Sequence, residues 1–193
     1  MKKAIFLDRD GVINHNIWNP STQAYESPHF VQDFSFVSGV FETLQSLQNA
    51  GFLLFIVSNQ PSFAKGKTTL ENLKEIHECM HKQFLKNNIL FTEYYYCYHH
   101  PAGIIPEYSR ICSCRKPNSF FLKRAEAEHK LSLESSWMLG DRDTDIWCGK
   151  SAGTRTIRIK SIENTKVLQK CEADYFCQDL DEASGIILNP FSK

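Results

Sequence analysis

Four short runs constrain this chain more than anything else in it, and three of them are almost continuously apolar and stop abruptly at polar or acidic residues. They are Lys3–Leu7, closed by Asp8-Arg9-Asp10-Gly11; Phe52–Val57, closed by Ser58-Asn59-Gln60; Trp137–Leu139, closed by Gly140-Asp141; and Thr154–Ile159. A strand with one wet face alternates apolar and polar residues, whereas a strand covered on both faces does not. Helical spacing fills the intervals. Val40, Leu44 and Leu47 mark a helix over 38–50, stopped by Gly51. Leu70, Leu73, Ile76, Met80 and Phe84 form one stripe of a longer helix over 68–87, with Asn87-Asn88 at its end. Shorter helices are expected over 119–131, 143–152 and near 179–187, and further strands over Glu93–Tyr98 and Ala173–Phe176. Strands that alternate with helices and read as continuous apolar runs predict an α/β fold with a parallel sheet and helices on both faces. Residues 14–36, rich in Asn, Pro, Ser and His, are expected to be a loop, and 99–118 shows no regular period. No repeat or linker interrupts the pattern, so residues 1–193 are expected to form a single domain.

Composition removes several function classes. Lys and Arg number 22 and Asp and Glu 22, so the formal charge is zero and a broad basic nucleic-acid face is not expected. The longest apolar run, Gly51–Val57, has seven residues against the ~20 that a bilayer requires, so no membrane span is expected. Lys2-Lys3 is followed by Asp8, Arg9 and Asp10 where the apolar region of a secretion signal would continue, which makes the cytoplasm the expected compartment. The seven cysteines, an odd count at low density, do not make a disulfide scaffold. Cys79, Cys148, Cys171 and Cys177 are expected to be ordinary small residues. His77 and His81, four apart on the long helix, are expected to be surface or packing histidines.

The acids at the strand ends carry chemistry. Asp8 and Asp10 sit two apart after the first strand, and period-two geometry can turn both the same way. Ligands of α/β sheets bind at the carboxyl ends of the strands. Asp8 with Asp141 offers hard oxygens for Mg²⁺, a backbone carbonyl and waters completing the shell. Ser58 can hold anionic oxygens, and Arg115-Lys116 can supply the positive charge. These parts suit phosphoryl transfer, in which a carboxylate attacks phosphorus while cations offset the repulsion between anions. A second constellation lies in 97–114, where Cys97-Tyr98-His99 and Cys112-Ser113-Cys114 are separated by a loop. Two such pairs fit a tetrahedral Cys₃His zinc site. With all four positions filled by protein, it would be structural, stapling a loop that has little apolar surface to bury and fixing Lys116 just behind it.

The motifs Asp8-x-Asp10-Gly11-Val12, Ser58-Asn59, Lys116 and Gly140-Asp141 with Asp145 resemble, in that order, the haloacid-dehalogenase-like (HAD-like) phosphohydrolase superfamily, with its Rossmann-like parallel sheet. The resemblance implies that Asp8 is the nucleophile and forms an aspartyl-phosphate. It implies that Asp10 protonates the leaving alkoxide and later deprotonates water, and that Asp8, the Asp10 carbonyl and Asp141 bind Mg²⁺. Lys116 would orient Asp8 and the phosphoryl group, and Asp145 would support Lys116 or the metal site. Intervals after Gly11 and after Gln60 are too short for a large cap domain.

The zinc segment, with Cys97-Tyr98-His99-His100-Pro101 and Cys112-Ser113-Cys114-Arg115-Lys116-Pro117, resembles the histidinol-phosphatase/heptose-bisphosphatase family. Phe6-Leu7-Asp8-Arg9-Asp10-Gly11-Val12-Ile13-Asn14 and Gly140-Asp141-Arg142 extend the likeness across nearly the whole chain. The fourteen residues between Cys97 and Cys112 match the heptose branch, since the histidinol-phosphate branch has a shorter loop. That likeness implies removal of the C7 phosphate of D-glycero-D-manno-heptose 1,7-bisphosphate, in the service of lipopolysaccharide core or a similar glycan, and a small uncapped enzyme is expected to be a monomer. It also implies that Asn59 and Gln60 lie near the substrate and that Arg115 grips the distal phosphate, with Arg142 and Lys65 as further anion contacts. Pro61-Ser62-Phe63 and Asn118-Ser119-Phe120 depart from the usual small and flexible residues of the family.

Overall fold

A computed structural model describes residues 1–161 and 172–189; Cys171 lies outside them. Thirteen regular elements follow one another: β1 Lys3–Leu7, β2 Ile17–Asn19, β3 Ala24–Glu26, α1 Val40–Asn49, β4 Phe52–Asn59, α2 Leu70–Lys86, β5 Phe91–Cys97, α3 Phe120–His129, β6 Trp137–Gly140, α4 Asp143–Ala152, β7 Arg155–Ile159, β8 Tyr175–Cys177 and α5 Leu180–Leu188. Six strands form one sheet in the order β5-β4-β1-β6-β7-β8, and every neighbouring pair is parallel.

Period two explains how the apolar runs divide. Ile5 and Leu7 of β1 join Leu54 and Ile56 of β4 in one core, against Val40, Leu44 and Leu47 of α1, Met80 and Phe84 of α2, and Ala183 and Ile187 of α5. Ala4 and Phe6 join Phe55 and Val57 in a second core, against Phe121, Leu122 and Ala125 of α3 and Cys148 and Ala152 of α4. Both faces of the central strands are therefore sealed, as their unbroken apolar runs require. Gly51, with φ of +83°, turns the chain from α1 directly into β4, a conformation that other residues reach only with strain. Thr69 starts α2 by accepting the Asn72 backbone N–H at 3.1 Å.

Two expectations need correction. Leu70 does not belong to the buried stripe of the long helix; it is 38% exposed at the first turn, before the helix reaches the sheet. The expected loop 14–36 contains a small antiparallel hairpin, pairing Ile17 with Glu26, Trp18 with Tyr25 and Asn19 with Ala24. Its strands have three residues each and none is buried, so no apolar alternation announces them. Larger insertions after β1 and β4 are absent among the described residues, as the short intervals predict. No helix among them is long and apolar enough to cross a membrane.

Candidate active site

The sheet order sets β1 between β4 and β6, so their carboxyl ends lie side by side. Asp8 follows β1, Ser58 and Asn59 end β4, and Gly140-Asp141 closes β6. Parallel pairing with Leu7 opposite both Ile56 and Leu139 brings these three ends level. One ligand atom each from Asp8, Asp141 and Asp145 falls within 4.8 Å of the others, and all three side chains are buried. Gly11 makes the arrangement possible. Its φ is +85°, and a Cβ there would lie 2.6 Å from Asp141 Oδ2.

Lys116 sits at the centre of this cluster and is 2% exposed. Its ammonium lies 3.0 Å from Asp8 Oδ1 and 2.6 Å from Asp145 Oδ1, and donates to the Val57 carbonyl at 2.6 Å. Burial pulls the pKa of this ammonium down, but the charges of Asp145 and Asp8 outweigh it and hold the group above its ordinary value. Asp8 Oδ1 also accepts the Arg9 backbone N–H at 2.7 Å, so its carboxylate is fixed in rotation. Asp145 Oδ2 accepts the Arg142 backbone N–H at 3.0 Å, capping α4. Asp141 differs from its neighbours. Burial, then the charges of Asp145 and Asp8, push its carboxyl up to about 8 against the opposing pull of Arg142. So much negative charge in a dry corner, presented by hard oxygens, fits a small divalent cation such as Mg²⁺.

Asp10 is 4% exposed and faces the same cavity. Burial raises its pKa, yet the Arg9 charge and hydrogen bonds from Asn14, Arg9 and Gln60 bring it below the ordinary value. Of the two amides expected near the substrate, Asn59 lines the cavity and Gln60 does not. Gln60 is 1% exposed and bonds Asp10, Arg9 and Ser58, because its backbone N–H is pinned to the Cys97 carbonyl and turns the side chain inward. Asn59 clasps the Lys116 backbone, donating to its carbonyl and accepting its N–H, both at 3.0 Å. Ser58 Oγ accepts from Gln60 behind the cavity wall; Ser62 lines the cavity in its place.

The cavity measures about 560 Å³ and opens over Asp8 and Asp10. Lys65, Arg115 and Arg142, the three cations read from the sequence, all line it. The sequence reading missed Lys67, Arg158 and Trp147 on its walls, and residues 24–27 of the hairpin over its mouth. Glu26 anchors that hairpin through an ion pair with Lys67 and a bond from Thr22, and Arg158 is paired with Asp143. The only local signal for Arg9 and Lys67 was charge beside a motif, which does not specify a partner.

Beside the cavity, Cys97, His99, Cys112 and Cys114 converge. Their sulfurs are 3.3–3.5 Å apart, and His99 Nδ1 is 3.8 Å from Cys97 Sγ and 3.6 Å from Cys114 Sγ. A tetrahedron with arms of about 2.3 Å has edges of roughly 3.8 Å, so the four donors can hold a metal ion. His100 is not among them; its Nδ1 accepts the Ala102 N–H. The cluster closes the loop that delivers Arg115 and Lys116, and Arg115 donates to the His99 carbonyl at 3.3 Å.

Comparison with known proteins gives consistent results. A family model described as HAD-hydrolase-like matches residues 113–183. The chain is 36% identical over 155 residues to the D-glycero-β-D-manno-heptose-1,7-bisphosphate 7-phosphatase of Vibrio cholerae, covering 80% of this chain and 79% of that protein. It is 32% identical over 188 residues to the protein of the same name from Pasteurella multocida, covering 97% of each. Among solved structures, the D,D-heptose 1,7-bisphosphate phosphatase from B. bronchiseptica, complexed with magnesium and phosphate, has the same fold, with a TM-score of 0.83, 22% identity, and coverage of 97% of this chain and 99% of that one.

Proposed function

We propose, because this chain belongs to the D-glycero-β-D-manno-heptose-1,7-bisphosphate 7-phosphatase family of HAD-like hydrolases, that it removes the C7 phosphate of D-glycero-D-manno-heptose 1,7-bisphosphate and leaves heptose 1-phosphate. The observation that carries this reading is the Lys116 ammonium held between Asp8 and Asp145 at the carboxyl ends of three adjacent parallel strands. Asp8 attacks phosphorus, the bond to the sugar oxygen breaks, and an aspartyl-phosphate forms. Asp10 gives a proton to the departing alkoxide and then takes one from the water that hydrolyses the acyl phosphate. Lys116 fixes Asp8 and neutralises an equatorial phosphoryl oxygen, and Asp145 holds Lys116 in turn. Asp8, the Asp10 carbonyl and Asp141 would hold Mg²⁺. When bound, that ion offsets the repulsion between the attacking carboxylate and the anionic phosphate.

Lys65, Arg115 and Arg142, which line the cavity, would meet the remaining phosphate and hydroxyls, the forked Arg115 being suited to a phosphate group. Zn²⁺ on Cys97, His99, Cys112 and Cys114 would be structural, since the protein fills all four positions. On this reading the chain is a monomeric, single-domain enzyme that acts on a soluble sugar phosphate in the cytoplasm.

The test is phosphate release from both anomers of heptose 1,7-bisphosphate, from histidinol phosphate, from fructose 1,6-bisphosphate and from simple monoesters. The heptose bisphosphate is expected to have the highest kcat/KM, with Asp8→Asn inactive on all. A preference for histidinol phosphate would refute the substrate, and full activity of Asp8→Asn would refute the covalent route.

A further inference from the structure

Arg9 lies between the two aspartates of the motif, is 1% exposed, and spends its guanidinium on the acid beside it rather than on the cavity. Its Nε and Nη2 both donate to Asp10 Oδ1, at 3.0 and 2.8 Å. Asn14 Nδ2 adds a third N–H to the same oxygen at 3.0 Å. Asp10 Oδ2 accepts one bond, from Gln60 Nε2 at 2.7 Å. The two carboxylate oxygens are therefore unequal, one crowded with donors and the other with room for a proton.

Arg9 also determines how Gln60 is turned. Its Nη2 donates to Gln60 Oε1 at 3.0 Å, and a guanidinium has no acceptor. Reversing the Gln60 amide would set N–H against N–H at Arg9 and oxygen against the Asp10 carboxylate. The amide is thus locked with its nitrogen toward Asp10 Oδ2 and Ser58 Oγ.

We propose that Arg9 is a positioning residue for Asp10: directly, and through Gln60, it anchors Oδ1 and leaves Oδ2 as the atom that passes a proton to the departing oxygen of the substrate. The proposal rests on the phosphatase reading above. A mere structural ion pair would affect all substrates alike. A positioning role affects those whose leaving group needs the proton.

The experiment compares kcat/KM for an alkyl phosphomonoester, the heptose bisphosphate, with that for p-nitrophenyl phosphate, whose nitrophenolate departs without protonation. This ratio reports only steps up to phosphoryl transfer, so hydrolysis of the acyl phosphate does not enter it. Arg9→Met is expected to lower the alkyl value about 10- to 100-fold and the aryl value by a clearly smaller factor. Arg9→Lys, which restores charge without the fork, is expected to repair the selective loss only in part. Gln60→Leu is expected to show the same selectivity more weakly, and it decides the matter if Arg9→Met fails to fold by circular dichroism. Equal losses on both esters, or no alkyl loss, would overturn the proposal. A wild-type protein that releases phosphate from neither ester would instead overturn the phosphatase reading itself.

Discussion

Replacing Lys116 by methionine keeps most of the side-chain volume and removes one buried charge, which leaves Asp145 and Asp8 facing each other without their shared cation. The ammonium is 2% exposed, with carboxylate oxygens at 2.6 and 3.0 Å and the Val57 carbonyl at 2.6 Å. Removing one partner of a buried ion pair costs about 3–5 kcal/mol, because the other partner stays desolvated. For a chain of this size that corresponds to a fall in Tm of about 6–20 °C. The pH dependence has a definite sign. Burial already raises the Asp145 carboxyl above its ordinary value, and Lys116 is the main force opposing that rise. In the variant the folded pKa climbs further above the unfolded one, so the folded chain binds a proton that the unfolded chain releases. The loss of stability is therefore largest above the raised folded pKa and shrinks as pH falls toward the unfolded value near ~4. Urea unfolding of both proteins in EDTA across pH 4.5–8 measures it, all pH values being experimental settings of about half-unit spacing. A double variant, Lys116→Met with Asp145→Asn, is expected to recover part of the loss, since the two sites are in contact. A pH-independent loss below about 1 kcal/mol would refute the reasoning, because a surface pair would behave that way.

Other consequences are open to measurement. Cys112→Ser is expected to lose the metal of the Cys/His cluster, read by metal analysis at one zinc per wild-type chain, and to lower Tm; unchanged zinc content would exclude this ligand set. Gly11→Ala is expected to destabilise by about 1–3 kcal/mol and to weaken Mg²⁺ activation, since its Cβ would lie 2.6 Å from Asp141 Oδ2 at a φ of +85°; a silent substitution in denaturant titration would contradict that packing. Burial acts to raise Glu26, but bonds from Lys67, Thr22 and Asn19 hold it at about 2 against its ordinary 4.5. Its contribution to stability is present above pH 4.5 and fades as pH falls toward 2. Glu26→Gln should accordingly flatten the acid limb of a Tm-against-pH curve over that window.

Much of the candidate site was legible because its parts are local. Asp8 and Asp10 are two apart at the end of an apolar strand, and Cys97/His99 and Cys112/Cys114 are pairs whose spacing already matches two ligand arms. Strand and helix positions followed from period and stop signals, which act over a few residues. The hairpin at Ile17–Glu26 escaped because three-residue strands outside the core carry no period. Gln60 was expected near the substrate from the family likeness alone, whereas a backbone bond to Cys97, on the next strand, turns it to Asp10.

By itself the sequence determined which segments must be buried on both faces, where the chain stops being apolar, and which residue types stand at those stops. Those are properties of consecutive residues, governed by the strand and helix periods and by turn chemistry. Only the tertiary structure decided that Lys116 is shared by Asp8 and Asp145, that Asn59 clasps the Lys116 backbone, and that Arg9 serves Asp10. These partners meet because β1 lies between β4 and β6, and strand order is fixed by the packing of helices across the sheet, which no local pattern of residues encodes.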